Sequence, residues 1–430
     1  MDKIVALCKR RGFIYPGSEI YGGLNGTWDF GPLGVLLANN IKNEWWRSIV
    51  LSRDDMVGLD SSILYHPRVW EASGHVSSFT EPLVECKVCH QRFREDHKKE
   101  IEDHKKTHKK TEWTDIKHFN LMFKTFVGSV ENESTKTYLR PETAQGIFIN
   151  FQNVIDSSRV KVPFGIAQIG KGFRNEITTG NFLFRVREFE MMELEYFIKP
   201  DTSEKWYEYW KNERLRWYIK LGIKSKNIKL ADIPKKDMAH YAKKATEIWY
   251  NWPFIGFGEL EGIVNRGDYD LSQHSKFSGN DLSYQDEETQ ERYIPYVIEP
   301  SVGVGRALLA FLIDAYFEDE KRIVLKLNPK LAPIKVAVFP LLANKLPLVN
   351  LSKDIYYSLK KQINGVVAFD DRGNIGKRYY SQDEIGTPFC ITVDFQSLEE
   401  KTVTVRDRDT MKQKRIKIED LEKYLTTKLN

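Results

Sequence analysis

The chain is most constrained between residues 163 and 197, PFGIAQIGKGFRNEITTGNFLFRVREFEMMELEYF, which reads as two β-runs joined by a turn. The first, PFGIAQIG, is apolar and bounded by Pro163 and Gly170. The second, FRVREFEMMELEYF, alternates and is rich in aromatic rings, and TTGN between them carries turn chemistry. Side chains two apart share a strand face, so Arg185, Arg187, Phe189, Met191 and Glu193 point one way. Arg174 and Glu176 likewise share a face of the first run. Arginines, a flat ring and carboxylates make poor core, because unpaired charges are costly to bury. Such a face meets either water alone or a charged ligand. Arginine forks suit phosphate oxygens, a ring suits a base and a carboxylate suits a cation, so the fitting ligand combines a polyphosphate, a purine and an ammonium group.

Other stretches sharpen this reading. Gly172-Phe173-Arg174-Asn175-Glu176 with Phe189 resembles motif 2 of the class II aminoacyl-tRNA synthetases, and Glu299-Pro300-Ser301-Val302-Gly303-Val304-Gly305-Arg306 resembles their motif 3. Leu139-Arg140-Pro141-Glu142-Thr143-Ala144-Gln145-Gly146 is similar to the family's amino-acid-binding stretch. In their longer forms, LRPETAQGIF, RVREFEM and GELEGIVNRGDYDLSQH resemble the dimeric glycyl-tRNA synthetases, and the likeness runs from KIVALCKRRGFIYPGSEIYGGLNGTWDFGPLG to the C-terminal region. Several long motifs in one order are far more specific than one short pattern.

The resemblance implies an α+β chain. A class II catalytic domain on an antiparallel sheet flanked by helices would span residues 1–330, with a Cys/His-containing insertion at 86–110 and a helical insertion at 200–252. An α/β anticodon-binding domain with a mixed sheet would span 333–430. The implied activity is ATP-dependent attachment of glycine to tRNA(Gly) through a glycyl-adenylate, by a homodimer. Carried over residue by residue, ATP would be bound by Arg174, Asn175, Glu176, Phe184, Arg185, Val186, Arg187, Glu188 and Phe189, with Glu259, Leu260, Gly303, Val304, Gly305 and Arg306. Arg174 and Arg306 would be catalytic. Glycine would be held by Arg94, Glu142, Phe189, Glu190, Met191, Met192 and Glu193, with Glu299, Pro300, Ser301, Val302 and Gly303. Phe93-Arg94-Glu95-Asp96-His97 departs from the family's segment in having Glu95 for alanine, and a plain surface arginine is the other reading of Arg94. Glu259 and Glu299, carboxylates on neighbouring strands near arginines, suit a Mg²⁺ ion bridging ATP phosphates. Glu259 and Glu261 are expected on one strand face, and Glu299 and Ser301 on another. Two rivals share these features: a synthetase for threonine, proline, serine or histidine, and a non-catalytic relative that only binds nucleic acid, like the mitochondrial DNA polymerase accessory subunit.

At 430 residues with 41% hydrophobic composition, the chain has room for two or three cored domains. A net charge of +5 permits a nucleic-acid partner without demanding one. Four cysteines, two of them in a C-x2-C pair, argue against a disulfide framework and fit a reducing cytoplasm. No apolar run approaches the roughly 18–20 residues that span a membrane. Cys86-x2-Cys89 followed by His104-x3-His108 approximates a zinc pattern, with His90 and His97 as spare donors. The alternative is a vestigial cysteine pair beside a solvated Lys/His-rich helix.

Along the chain, residues 1–12 read as an amphipathic helix, residues 32–50 as a helix opened by Pro32, and residues 56–67 as a strand resembling the family's dimer motif. The segment between, YPGSEIYGGLNGTWDFGPLG, reads as a loop closing one wall. SEKWYEYWKNERLRWYIKLG reads as a helix stopped by Gly222, and KKDMAHYAKKATEIWY as a second, basic helix. Their aromatics suit either core packing or a tRNA acceptor stem. From Ile334 a strand, helix, strand, polar segment and two strands follow, with Arg372, Lys377, Arg378 and Tyr379 as candidates to meet RNA.

Overall fold

The computed structural model describes residues 1–96, 98–108 and 111–429. Seven strands form the main sheet: β1 (Met56–Gly58), β2 (Phe164–Phe173), β3 (Glu188–Ile198), β4 (Ile228–Asp232), β5 (Lys244–Trp252), β6 (Gly256–Gly267) and β7 (Tyr296–Gly303). Their order across the sheet is β4-β5-β6-β7-β3-β2-β1. Every neighbouring pair is antiparallel except β1 with β2. The 163–197 hairpin is therefore the middle of the sheet's binding half, with β3 paired on both sides. Phe189 opposes Gly172, and Glu193 stands between Gln168 of β2 and Ser301 of β7.

Six helices matter for the catalytic part: α1 (Asp2–Arg11), α2 (Pro32–Trp46), α3 (Ala144–Ile149), α4 (Ser203–Lys220), α5 (Tyr269–Ser278) and α6 (Val304–Ala315). Pro32 occupies the first turn of α2, where its missing N–H costs nothing. One face of the sheet buries Met192, Leu194, Tyr196, Ile263 and Ile298 against Tyr207 and Trp210 of α4 and Ala307 and Leu308 of α6. The opposite face is covered only at one end, where Phe164, Phe197 and Val297 meet Ile147 and Phe148 of α3 and Leu271 of α5. Beyond that cover the face lies open.

The helical reading of residues 200–252 is corrected. Only α4 is a long helix there; β4 and β5 extend the main sheet, and residues 235–250 hold one short turn and then β5. Thr246, Ile248, Tyr250 and Trp252 are buried at every second position, a period-2 pattern that outweighs the lysines before it. A register irregularity between Ile248 and Trp249 pairs these residues with Glu261 and Glu259, leaving Leu260 as the extra residue of a bulge. Glu259 and Glu261 consequently do not share a face. Glu259 reaches the open face, whereas Glu261 is buried on α4, bound by Arg214 Nε at 2.6 Å and by Tyr218 Oη at 2.7 Å.

The second sheet comprises β8 (Ile334–Pro340), β9 (Val366–Phe369), β10 (Phe389–Val393), β11 (Thr402–Asp407) and β12 (Gln413–Lys417), ordered β9-β8-β10-β11-β12. The β8 pairs are parallel and the rest antiparallel, so the sheet is mixed. Helix α7 (Leu346–Gln362) crosses it, and the stretch expected as a polar segment is helix α8 (Ile375–Ile385), capped by Asn374. Arg378 does not face RNA: it is buried and donates to the carbonyls of Arg372, Asp371 and Gly373. Tyr379 Oη is likewise bonded to Thr392. Buried Asp383 of α8 ties the two parts together, accepting from Arg322 at 2.5 Å and from both Nη atoms of Arg406 at 2.8 and 2.9 Å.

The buried Arg214–Glu261 pair yields a stability prediction. Arg214→Met leaves a carboxylate dry and unpaired, at a cost of roughly 3–5 kcal/mol. Urea unfolding followed by tryptophan fluorescence should register that loss, and adding Glu261→Met should restore most of it.

Candidate active site

The open face holds a cavity of about 800 Å³ bounded by β3, β6, β7, the edge of α2 and residues Thr27–Phe30. The glycine-rich segment is thus a wall, as its composition suggests. Arg187 fastens it there: its backbone N–H donates to Gly26 O at 2.8 Å and its guanidinium to Asn25 O. Gly26 has φ 76°, and a Cβ on it would strike Thr179 at 2.3 Å, so glycine is required.

One end of the cavity carries cations and rings. Arg174 Nε donates to Pro141 O at 3.1 Å, and its guanidinium lies 5.3 Å from the Phe189 ring centroid. Glu176 is buried, and its Oε2 makes no hydrogen bond among the described residues, with Arg185 Nε 3.7 Å away. Arg306, at the start of α6, pairs with Glu259 at 2.9 Å and covers the Phe184 ring at 4.6 Å. The Arg306 charge holds the Glu259 carboxyl below the usual range.

The other end is an acidic floor. Glu193 Oε2 accepts from Thr143 N–H at 2.6 Å and from its hydroxyl, while Oε1 accepts from Ser301 at 2.9 Å. Glu142 meets His75 Nε2 at 3.3 Å and Gln145 Nε2 at 3.0 Å. Glu299 accepts from Arg266 Nη1 at 2.9 Å, and the same guanidinium grips Asp270 at 2.7 and 2.8 Å. Burial pushes Glu299 up to about 8, with Glu193 and Glu142 adding to the rise and Arg266 opposing it. Burial also raises Glu193, helped by Glu142. For Glu142, burial is outweighed by His75 and Arg266, which hold it well below the carboxylate range. Glu195, behind Glu193 on the same face, is raised far by burial and by Glu299, and neither of its oxygens is bonded among the described residues.

Most of the sequence-assigned residues meet at this cavity: Glu142, Arg174, Glu176, residues 184–186, 188–191 and 193, Glu259, Leu260, Glu299, and 301–306 all line it. Five do not. Asn175 is turned to Leu121, its N–H donating to that carbonyl at 2.7 Å. Arg187 is spent on the wall. Met192 points into the core behind the sheet, because β3 alternates. Pro300 faces away from the cavity between Glu299 and Ser301, for the same reason. Arg94 lies outside as well, bonded to Asp96 at 2.6 and 2.9 Å and to Glu81. The pairing of Glu259 with Glu299 around one Mg²⁺ is also corrected. Glu299 opposes Val264, five residues along β6 from Glu259, a span of roughly 16 Å.

Sequence reasoning missed His75, Gln145, Tyr241, Arg266 and Asp270. Tyr241 lines the cavity with Arg266 3.8 Å over its ring. Arg266 lies at the end of β6 and Asp270 in the first turn of α5, so their contact is made by the strand-to-helix junction and no single periodicity announces it. His75 has no sequence neighbour in the site, and no local pattern points to it.

Comparison with known proteins agrees with this geometry. The family described as tRNA synthetase class II core domain (G, H, P, S and T) matches residues 125–316, and the family described as anticodon binding domain matches residues 335–428. Curated glycine–tRNA ligases are similar along the whole chain. That of Thermobifida fusca is 54% identical, with 100% of this chain and 98% of the relative covered. Those of Streptomyces coelicolor and Caldanaerobacter subterraneus subsp. tengcongensis are each 52% identical at the same coverage. Among solved structures, prolyl-tRNA synthetase from Cryptosporidium parvum, complexed with halofuginone and AMPPNP, shares the fold at TM-score 0.70 and 17% identity, covering 100% of this chain and 75% of that one. A class II core followed by an anticodon-binding domain, and half of all residues shared end to end with these ligases, lead to one conclusion: the chain belongs to the glycine–tRNA ligase family of class II aminoacyl-tRNA synthetases.

Proposed function

We propose that the cavity performs both steps of glycine–tRNA ligation with its two ends dividing the work. The observation that carries this reading is the distribution of charge along β3. Phe189 and the arginines stand at one end, and buried Glu193 four residues on, about 13 Å away, stands at the other. That span has room for a nucleotide with an amino acid joined to its phosphate.

In the first step a glycine carboxylate oxygen attacks the α-phosphorus of ATP and pyrophosphate leaves. Such chemistry needs positioning and charge neutralisation more than a protein base. Arg174 neutralises the α-phosphate, Arg185 holds the distal phosphates, and the base stacks on Phe189 with Arg306 on its other side. The unbonded Oε2 of Glu176 accepts from the adenine amino group, which supports a purine in this slot. Magnesium bound with ATP would supply further neutralisation of the phosphates. Glu259, at the nucleotide end of the cavity, would be the carboxylate to hold it, Glu299 standing at the far end. In the second step a hydroxyl of the terminal adenosine of tRNA attacks the glycyl carbonyl and AMP leaves. The C-terminal sheet is the part that meets the anticodon.

Glycine offers no side chain to hold, so recognition rests on its ammonium and on exclusion of anything larger. Glu142, Glu193 and Ser301 receive the ammonium end, with Glu299 beside them. A methyl group in this crowded floor costs on the order of 1–3 kcal/mol. The reading includes a second copy of the chain as partner, supported by the likeness of α2 and β1 to the family's dimer motif. It also includes a cytoplasmic setting, which suits four free cysteines.

Amino-acid-dependent ATP–pyrophosphate exchange, run across all twenty amino acids without tRNA, tests the assignment. Exchange should occur with glycine alone, and Arg174→Ala should lower its kcat by about 10²-fold or more. Exchange with another amino acid defeats the pocket assignment, and unchanged exchange in the variant defeats the role of Arg174.

The raised Glu299 carboxyl gives a second prediction. With a pKa of about 8 it is largely protonated at neutral pH and ionises as pH rises. An ammonium ligand binds the ionised form, so the KM for glycine should fall as pH is raised from 7 towards 8.5. Glu299→Gln cannot ionise and should flatten that dependence while leaving the KM for ATP nearly unchanged.

A further inference from the structure

Residues 80–120 build a small unit beside the nucleotide end of the cavity. Strands Arg92–Arg94, Thr80–Glu85 and Lys117–Asn120 form a three-stranded sheet in that order, and helix Lys98–Thr107 packs on it. Among the described residues its own core is Val84, Phe93 and Ile101, with Trp113 packed alongside. Ile101 is the one buried residue of the ten-residue helix. A helix of this length is marginal without tertiary support, and three apolar side chains supply little.

At the end of this core four side chains converge from two elements. Cys86, Cys89, His104 and His108 each bring one donor atom, and all four lie within 4.8 Å of one another. Cys89 Sγ stands 3.5 Å from His104 Nε2. The turn between the cysteines is built for convergence: His90 adopts φ 58°, and its N–H returns to Cys86 O at 2.8 Å. The N–H groups of Val88 and Cys89 point at the Cys86 sulfur, which is buried. His104 is oriented by Phe93 and Trp113, whose ring centroids lie 4.6 and 5.7 Å away. His108 follows one helical turn later, its ring 4.8 Å from that of His104. Of the spare donors, His90 pairs with Glu85 at 3.0 Å, and His97 lies outside the described residues.

We propose that Cys86, Cys89, His104 and His108 bind one Zn²⁺ ion in a closed, structural site. A tetrahedral ion with bonds of about 2.3 Å to sulfur and about 2.0 Å to nitrogen spaces its ligands about 3.3–3.8 Å apart, so the observed cluster needs only a slight contraction. Two soft thiolates with two imidazoles select zinc over magnesium or calcium, which prefer oxygen. Two thiolates also balance the ion's charge, and binding releases the two thiol protons. Four protein ligands leave no position for water or substrate, so the ion serves structure rather than chemistry. Its work is to staple helix Lys98–Thr107 to the sheet, supplying the cohesion that the small core lacks. The stapled unit borders Ile177 and Thr179, at the turn after Glu176, across a crevice shared with Asn25 and Arg92.

Full-length protein purified with zinc in the medium and passed through a desalting column should retain about one zinc per chain by elemental analysis. Replacing zinc with Co²⁺ should give intense tetrahedral d–d bands and a thiolate-to-cobalt charge-transfer band. Cys89→Ser and His108→Ala, at partly or fully exposed positions, should each weaken metal binding at least tenfold. Chelation should make the lysine-rich helix sensitive to trypsin, with zinc restoring protection. A zinc content near zero overturns the proposal. So does a weak octahedral cobalt spectrum unchanged in Cys89→Ser, which would mark adventitious binding to surface histidines.

Discussion

The floor of the site depends on one buried guanidinium. Arg266 is 1% exposed and is the cation that grips both Asp270 and Glu299 in a region that also buries Glu142, Glu193 and Glu195. Its own charge is kept because burial is outweighed by Asp270 and Glu299. One arginine and the His75 ring cannot neutralise five buried carboxyls, and burial, with the neighbouring carboxylates adding to it, raises Glu193, Glu195 and Glu299. Such an arrangement is expensive for the folded state. It is also a standing demand for a cation of ammonium size, and an apolar pocket of equal volume would make no such demand.

The rest of the architecture serves that demand. Helices α4 and α6 bury one face of the main sheet, which keeps the strands rigid and frees the other face for ligand. Helices α3 and α5 close only half of the free face and deliver Gln145 and Asp270 to the acidic floor. His274 Nε2 of α5 donates to Gln145 Oε1 at 2.8 Å, so even the amide that links Glu142 to Asp270 is held from behind. The precision of the floor thus comes from helices rather than from loops.

The hairpin was legible because a face of arginines, a ring and carboxylates has no stable place in a core, whatever the tertiary context. Where local pattern and tertiary context part, the sequence misleads. Residues 235–250 carry four lysines, which resemble a solvated helix, yet Thr246, Ile248 and Tyr250 alternate into the core. Arg185 and Arg187 look equivalent by spacing, but only the first reaches the cavity, because the strand begins after both of them, at Glu188. Arg378 looked like a loop cation and is instead a buried brace for backbone carbonyls. The His75–Glu142 contact joins residues far apart in the chain, and nothing local announces it.

The bulge at Leu260 carries a consequence of a different kind. One supernumerary residue makes β6 carry two unrelated acids: Glu259 for the ligand side and Glu261 for the core side. The strand therefore has a reading frame. Substitutions around it change one function at a time, but a residue lost between Glu261 and Gly267, where β6 pairs with β7, would turn Glu259 inward and Glu261 outward unless a second irregularity absorbed the shift. Sequence drift at this strand should then proceed by replacement and almost never by insertion or loss, so its length is inherited more strictly than its letters.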